Sequence, residues 1–441
     1  MSVKRLDSIL LMIALLRSLT VWLSLAACLA DGQDLPTLTL QQAHEMAVRN
    51  HPLITVADLK ALASQQVVKQ MRAGFFPSVS ANAVAIGNAR DNTRLEAIGA
   101  LNNPAIFERN AEGLMVSQLI TDFGRTSNLT GSAKLQAEAA ANNAQATREQ
   151  ILVAVDAAFY SAQQAQAVMR VAGETVKARQ AFLSQVSTLA TNQLRSELDV
   201  SFARVNVEDA RLLLSKAQND LDAAFAQLSN LLGLREAKSF QLIEESLPAE
   251  VSTNASDFIR RALEFRPDLL SLRNQQEAAL KLARAERDAR YPTIAAVGAA
   301  GVAPIHDSAL PDNYASAGLV VNVPIFAGGL YVARQREAEL QAQAAQESIR
   351  NLEDNVIRDV RIAWLSTRNA FDRYRITRQL LDTARQSYNL AKARYLNQLT
   401  SIVEFNQAEL SLISAEISLA STQYEYLIQR SALDFQTGTL R

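Results

Sequence analysis

The sequence has 441 residues, in which 44 Lys and Arg stand against 45 Asp and Glu, so the formal net charge is −1. A chain this close to neutral lacks the basic surface that binding to nucleic acid requires. Its single Cys excludes an intrachain disulfide framework and a multi-thiolate metal site, and its 15 Gly and 10 Pro are too few for a turn-rich all-β fold of this length.

Residues 1–30 have the pattern of an export signal rather than of a folded element. A positively charged start precedes an apolar stretch, which small residues close just before Cys28. The Leu-Ala-Ala-Cys sequence ending at Cys28 resembles the lipobox of bacterial lipoproteins, in which the Cys is acylated and becomes the mature N-terminus. Cleavage after Ala30, which would discard Cys28, is the alternative, and the sequence leaves both open.

The rest of the chain consists of two tandem copies of one structural unit. The segment ending at Pro52 matches the segment ending at Pro267, an offset of 215, and the later segment 119–124 matches 324–329, an offset of 205. The offset is constant before and after the segment between the two predicted strands, and it changes only there. This indicates a tandem repeat in which that loop is longer in the first copy. We therefore predict a first repeat over 36–235, an inter-repeat linker over 236–255 and a second repeat over 256–441.

Each repeat opens with two helices separated by a proline. Thr39 is the predicted N-cap of the first helix, with Gln42 in the position that completes a capping box, and Ser256 is the predicted cap in the second repeat. Pro52 and Pro267 end these first helices, because proline disfavours the helical conformation in the residue before it.

Two segments in each repeat then alternate with a period of two residues, which is typical of strands. They cover about 78–86, 113–121, 293–303 and 315–325. Each is close to the ~9–11 residues that a tilted strand needs to cross a bilayer. A hairpin on a soluble helical protein is the alternative that this pattern leaves open.

Long helical hairpins complete both repeats. The segments 125–191 and 330–396 contain no proline and are rich in strong helix formers, and at 1.5 Å per residue each would span roughly 100 Å. Polar turns follow, and returning helices complete predicted hairpins over 125–232 and 330–435. A hairpin of this length cannot bury its own apolar surface, and the open edges of four membrane strands need partners, so we expect an oligomer.

The order and duplication of these features resemble the TolC-type outer-membrane efflux proteins. Asp199-Val200-x-x-Ala203 and Glu404-Phe405-x-x-Ala408 follow the two hairpin turns, and a Pro-Ile-Phe-x-Gly-Gly run occupies 324–329. The resemblance implies a mainly α chain with membrane β structure. Three copies would form a homotrimer with a 12-stranded β-barrel in the outer membrane of a Gram-negative bacterium, continuous with a periplasmic α-barrel.

The resemblance also implies a function and partners. The trimer would be a passive duct in outer-membrane lipid, gated at its periplasmic tip, which a periplasmic adaptor protein and an inner-membrane transporter recruit for efflux or type I secretion. A periplasmic coiled-coil adaptor is the alternative, although adaptors lack duplicated strand pairs. No cofactor is implied.

Residues beside the hairpin turns are the candidate gate. Acidic residues of the family line a pore constriction, and Asp199 and Glu404 hold those positions here, so a trimer would carry a ring of carboxylates that favours cations. Alternatively, each acid has no pore role and only stabilises the start of the returning helix, where a negative charge is favourable to the helix dipole. Tyr395 matches a family tyrosine that tethers the closed hairpin.

The second turn departs from the family pattern. Thr400 stands where the family has an arginine, Gln407 where it has a further acid and Gln398 where it has a glycine. We therefore expect a lock of different construction, in which Arg195, Arg394 or Arg204 takes the place of the missing arginine.

Other chemistry finds little support in the sequence. The three histidines, His44, His51 and His306, are not spaced as metal ligands, and no nucleophile motif or phosphate-binding loop is present. We therefore predict surface or capping roles for the histidines, no metal site and no enzymatic activity.

Overall fold

The computed structural model describes residues 36–86, 109–244, 246–305 and 311–440. The predicted export segment with Cys28, most of both loops between the predicted strands, and His306 lie outside the described residues.

Within these ranges the chain forms eight helices in two sets of equal lengths. Each repeat has helices of 11, 22, 67 and 35 residues in that order. The first repeat contains α1 (Leu40–Asn50), α2 (Pro52–Ala73), α3 (Arg125–Thr191) and α4 (Glu197–Leu231), and the second contains α5 (Ala255–Phe265), α6 (Pro267–Asp288), α7 (Leu330–Leu396) and α8 (Ile402–Gln436). None of the helices in the described ranges combines the length and apolarity needed to cross a membrane.

The caps of the short helices match the sequence prediction in one repeat and not in the other. Thr39 and Gln42 form the expected capping box at α1. In the second repeat, however, the N-cap of α5 is Asn254, whose side chain accepts a hydrogen bond from the Ser256 amide at 3.0 Å. The prediction of Ser256 was therefore wrong, because an asparagine two residues earlier already satisfies the free amide.

Six strands lie in the described ranges. The four long ones are β2 (Ser78–Ile86), β3 (Arg109–Thr121), β5 (Thr293–Ile305) and β6 (Asn313–Asn322), and they form one antiparallel sheet in the order β2-β3-β5-β6. β6 stops at Asn322 rather than at residue 325, because Pro324 has no amide proton to donate to a neighbouring strand. The short strands β1 (Thr37–Leu38) and β4 (Gln241–Leu242) pair in parallel.

The register gives the large sheet a more apolar and a more polar face. Its apolar face includes Val79, Leu114, Val116, Leu319 and Val321, and its polar face includes Ser80, Asn82, Ser117, Ser316 and Asn322. All ten residues of β6 are exposed, and Leu319 is 70% exposed. Among the residues that the structure describes, no layer therefore covers the apolar side of this sheet.

The main core lies where α1, α3, α4 and α8 meet the segment between the repeats. The side chains at its centre are fully buried, and they include Val155, Phe159, Leu228 and Leu232. Side chains of three long helices hold the linker by donating hydrogen bonds to its carbonyl oxygens. The donors are Gln163 and Gln166 of α3, Trp364 of α7 and Tyr426 of α8, and the acceptors are Ile243, Phe240, Ser252 and Ala249, at 2.7 to 2.9 Å.

Candidate functional site at the hairpin tips

The two hairpin turns have the same backbone conformation. Gln193 and Gln398 have φ angles of 57° and 61°, in the left-handed region that favours glycine. The amide of the next residue in each turn, Leu194 or Leu399, donates to a carbonyl five residues back, at 2.9 and 2.8 Å. This is the Schellman arrangement that ends a helix by satisfying its free carbonyls, and in both turns a glutamine takes its left-handed position.

The returning helices begin directly after these turns. Ser196 caps α4 and Ser401 caps α8, accepting hydrogen bonds from the amides of Asp199 and Glu404 at 3.2 and 3.4 Å. Both carboxylates therefore lie in the first turn of a helix, where their charge is favourable. This placement is compatible with a pore-lining role and also accounts for an acid at each position.

Glu404 interacts within its own hairpin. Arg394, in the last turn of α7, donates to its carboxylate at 3.1 Å, and the Thr400 hydroxyl donates to the other carboxylate oxygen. Arg394 and Glu404 are 56% and 51% exposed, so their ion pair adds little stability. Gln407 is exposed one turn farther along α8.

Tyr395 belongs to an aromatic cluster that joins the hairpins. Its side chain is 1% exposed, and its ring stacks on Phe405 of α8 at 5.5 Å between centroids. The ring centroid of Phe182, on α3, lies 4.7 Å from that of Phe405 and 5.7 Å from that of Tyr395. Because Phe182 belongs to the first hairpin and the other two to the second, these rings hold the hairpins together near the tip.

Arg195 makes a second connection between the hairpins. From the first turn, its guanidinium lies 4.1 Å from the centre of the Tyr395 ring and donates to the Tyr395 carbonyl oxygen. Among the described residues, the Tyr395 hydroxyl has no hydrogen-bond partner. Burial, and then the charge of nearby Asp199, raise the pKa of this hydroxyl, while Arg195 opposes the shift. Of the three candidate arginines, Arg195 thus reaches Tyr395, Arg394 reaches Glu404, and Arg204 is exposed on α4.

A buried ion pair farther from the tip was not predicted from the sequence. Arg179 of α3 and Glu409 of α8 are 3.0 Å apart, with side chains 5% and 9% exposed, and Arg179 also donates to the Asn206 carbonyl of α4 at 2.7 Å. Asn206 in turn donates to Asn406 of α8 at 2.9 Å. Burial raises the pKa of Glu409, and Arg179 opposes the shift. The partners are 230 residues apart, and on single helices they resemble ordinary surface charges.

Two histidines have structural partners. His51 caps α2, accepting from the Leu53 amide at 3.3 Å, as a capping role predicts, and burial lowers its pKa. His44 is not a simple surface residue, because it contacts the carboxylate of buried Asp156, which also accepts from Ser431. In the described ranges no group of three or more His, Cys, Asp or Glu is placed to hold a metal ion.

Comparison with protein families gives a match in both repeats. The model of the family described as outer membrane efflux protein matches residues 43–234 and 258–439. These two matched segments cover α1 to α4 and α5 to α8, apart from the first three residues of α1 and of α5.

Named relatives agree with this match. The chain is 22% identical over 305 residues to the outer membrane protein TolC of Escherichia coli, covering 66% of this chain and 59% of TolC. It is 26% identical to the probable efflux pump outer membrane protein TtgC of Pseudomonas putida, covering 88% and 80%. It is 23% identical to the alkaline protease secretion protein AprF of Pseudomonas aeruginosa, covering 96% and 89%.

Solved structures share the fold. The open state of the Neisseria gonorrhoeae MtrE outer membrane channel matches with a TM-score of 0.73 and 19% identity, covering 91% of this chain and 89% of that chain. The Campylobacter jejuni CmeC outer membrane channel matches with a TM-score of 0.71 and 16% identity, covering 91% and 85%.

Proposed function

The chain belongs to the outer membrane efflux protein family, and on that premise we propose that it is the outer-membrane channel of a tripartite efflux pump or type I secretion system. It acts as a passive duct with no catalytic step. Energy and substrate selection come from the inner-membrane transporter, to which a periplasmic adaptor connects it.

One observation carries this proposal: the family match covers both repeats, and each repeat joins two strands to a 67-residue helix. A four-stranded sheet with an exposed apolar face suits a lipid environment only when its edges are paired. Three copies would supply 12 strands and close the sheet into a barrel, with the polar face lining the pore. The long helices would continue that wall into the periplasm.

The relatives favour a duct over an adaptor. TolC and TtgC are named as outer membrane proteins, TtgC as part of an efflux pump, and AprF as a secretion protein. Outer-membrane lipid, an adaptor and a transporter are therefore the partners that we propose for this chain, together with two further copies of itself.

We place the gate at the hairpin tips. Asp199 and Glu404 supply the carboxylates of the pore constriction, and Tyr395 tethers the second hairpin. Arg195 replaces the arginine that the resemblance implies at position 400. From the first hairpin, it contacts both the ring and the carbonyl oxygen of Tyr395 at the end of α7. Arg394 and Thr400 orient Glu404, and Gln407 puts an amide where the resemblance implies a further acid.

Conductance in planar lipid bilayers tests the channel and its gate together. The purified chain should form ion-conducting pores that prefer cations and are blocked by divalent cations. The double variant Asp199→Ala with Glu404→Ala should lose most of that preference, because a carboxylate ring is what attracts cations. The double variant Glu197→Ala with Glu208→Ala, two exposed acids on the same helix α4, is the control and should keep it.

The results separate the two claims. Absence of any conductance would overturn the duct. Pores with unchanged ion selectivity in the Asp199 and Glu404 variant would leave the duct standing and remove these two residues from its constriction.

A further inference from the structure

A row of four directly paired residues crosses the whole sheet near the end that lies farthest from the long helices. Asn82 of β2 pairs with Gly113 of β3. Gly113 pairs with Gly301 of β5, which pairs with Tyr314 of β6. Directly paired residues present their side chains on the same face of a sheet. This row lies on the polar face, and its two central positions have no side chain.

Tyr314 occupies the space over the two glycines, which we call the glycine slot. A Cβ atom added to Gly301 would lie 2.6 Å from the Tyr314 hydroxyl, and a Cβ atom added to Gly113 would have the same hydroxyl as its nearest atom. Neighbouring strands are about 4.8 Å apart, so a hydroxyl within reach of both glycines lies at least one strand spacing away from β6. The ring of Tyr314 therefore lies flat along the sheet instead of standing out from it.

The glycine slot is specific to this place in the sheet. The offset of 205 carries Gly113 to Gly318 of β6, where an added Cβ atom would meet no atom of the described residues within 4 Å. At Gly113, by contrast, the added Cβ atom would collide with the Tyr314 hydroxyl and would lie 2.8 Å from the Ala300 carbonyl oxygen. The absence of a side chain at Gly113 is therefore what makes room for the tyrosine ring.

We propose that the glycine slot holds Tyr314 against the barrel wall and so keeps the pore wide enough for bulky cargo near its outer mouth. The inference rests on the proposed function, which places the polar face of 12 strands around a pore. Twelve strands about 4.8 Å apart and tilted by about 40° enclose a circle about 24 Å across between backbones. Three upright rings, each reaching one strand spacing inward, would reduce the clear circle to about 14 Å.

Only packing holds the ring in the slot. Tyr314 is 42% exposed, and a phenol has an apolar body and a polar tip, so water can solvate its hydroxyl whether the ring lies flat or stands upright. The position of the ring therefore depends on whether the wall beside it offers room. One added methyl group at Gly113 removes that room, and this makes Tyr314 a residue that sets the size of cargo the outer mouth admits.

Labelling of a cysteine deep in the pore tests the inference. Asn322→Cys places a thiol on the same face at the inner end of β6, eight positions from Tyr314, which is about 21 Å along the barrel axis. In intact cells, a bulky maleimide that cannot enter the periplasm reaches this thiol only past the tyrosine ring. Its bulky group is about 18 Å wide, between the two diameters of the clear circle. A small maleimide reports whether the thiol is reactive in each variant.

The expected rates follow from the position of the ring. Gly113→Ala should slow labelling by the bulky maleimide severalfold and leave labelling by the small one unchanged, and adding Tyr314→Ala should restore the parent rate. Tyr314→Ala alone should leave the parent rate unchanged, because the ring already lies against the wall. Gly318→Ala adds a methyl group to the same face without displacing a ring, so this matched control should also keep the parent rate. The chain with Cys28 as its only cysteine gives the background.

Each outcome decides a claim. Slow bulky labelling of Gly113→Ala that recovers in the double variant supports the inference. A rate that is unchanged in Gly113→Ala, slow labelling that persists without the tyrosine, or faster labelling of Tyr314→Ala alone overturns it while the duct stands. A parent chain that only the small maleimide labels also overturns it.

A second reading covers a variant that does not assemble. If Gly113→Ala yields no oligomer, Tyr314→Ala alone decides, because it leaves both glycines in place: an unchanged rate supports the inference and a faster rate overturns it. A parent chain that forms no oligomer in the outer membrane overturns the proposed function together with this inference.

Discussion

At the scale of single residues, Arg179 and Glu409 form a buried ion pair between the hairpins. Two charges this far from water are tolerated only when paired. Removing one partner leaves the other buried and uncompensated, whereas removing both leaves an apolar contact of similar size.

We therefore predict that Arg179→Met destabilises the helices by roughly 3–5 kcal/mol, and that adding Glu409→Leu restores most of this loss. Thermal unfolding of the detergent-solubilised protein, followed by helical circular dichroism, measures both effects. Arg211 pairs with Glu208 on the surface, with side chains 54% and 61% exposed, so the control Arg211→Met should cost less than ~1 kcal/mol. A double variant no more stable than Arg179→Met would contradict the assignment.

The buried carboxyl of Glu409 predicts that the stability of the protein depends on pH. Burial raises the pKa of Glu409 above its ordinary 4.5, so the folded protein binds this proton more tightly than the unfolded chain. The group's contribution to stability is therefore fully present below about pH 4.5 and is lost as the pH rises through the folded pKa.

Unfolding temperatures measured between about pH 4 and 8 should show the wild type losing stability relative to Glu409→Gln as the pH rises. Replacement of the exposed Glu208 by Gln is the matched control and should leave the wild-type slope in place. Parallel curves for the wild type and Glu409→Gln would show that this carboxyl does not titrate differently in the two states.

At the scale of elements, the sheet depends on two glycines that face each other. Gly113 of β3 pairs with Gly301 of β5, and Tyr314 of β6 lies across both. A Cβ atom on Gly301 would come within 2.2 Å of the Glu112 carbonyl oxygen and 2.6 Å of the Tyr314 hydroxyl. The backbone oxygen cannot move aside without breaking the ladder between the strands.

Gly301→Ala should therefore impair folding of the sheet and reduce the yield of assembled protein in the outer membrane severalfold. Gly298→Ala, on the same strand, is the control, since its Cβ would be 3.7 Å from the nearest atom, the Ser316 carbonyl oxygen. Membrane fractionation followed by unheated gel electrophoresis gives the yields. Equal yields of the two variants would mean that the strands adjust more freely than this packing allows.

At the scale of the whole molecule, the exposed apolar face of the sheet and its open edges call for partner subunits. We predict that the purified chain migrates as a trimer in detergent without heating and as a monomer after boiling, because 12 paired strands resist denaturation more strongly than four. Gel mobility before and after heating, checked by mass measurement in detergent, tests this. A chain that remains a soluble monomer without detergent after removal of its export segment would contradict it.

The helices, the strands and the tandem repeat could be predicted because each produces a periodic or repeated pattern in the sequence. The absence of proline predicted α3 and α7 as single long helices ending near Thr191 and Leu396, and the offsets predicted that each repeat has the same elements. Local competition limited the rest: Asn254 displaced Ser256 as a cap, and Pro324 shortened β6.

Contacts between distant helices could not be read from the sequence in the same way. Asp199 and Glu404 were chosen by resemblance, and whether they face a pore depends on subunits outside the single chain. Arg179 and Glu409 were missed because a buried pair between helices has no spacing rule, unlike a pair on one helix. Tyr395 was identified, but its contact with Arg195 depends on how two separate turns meet.

The linker held by Gln163, Gln166, Trp364 and Tyr426 has a mechanical consequence. It ties three long helices at one level, and in the proposed duct it would fix the width of the helical wall there. Widening at the tip would then come from tilting of the part of α7 beyond this level, which would act as a lever together with its packed neighbours. From Trp364 to Leu396 that lever is about 48 Å at 1.5 Å per residue, so a tilt of about 10° would carry the tip sideways by about 8 Å.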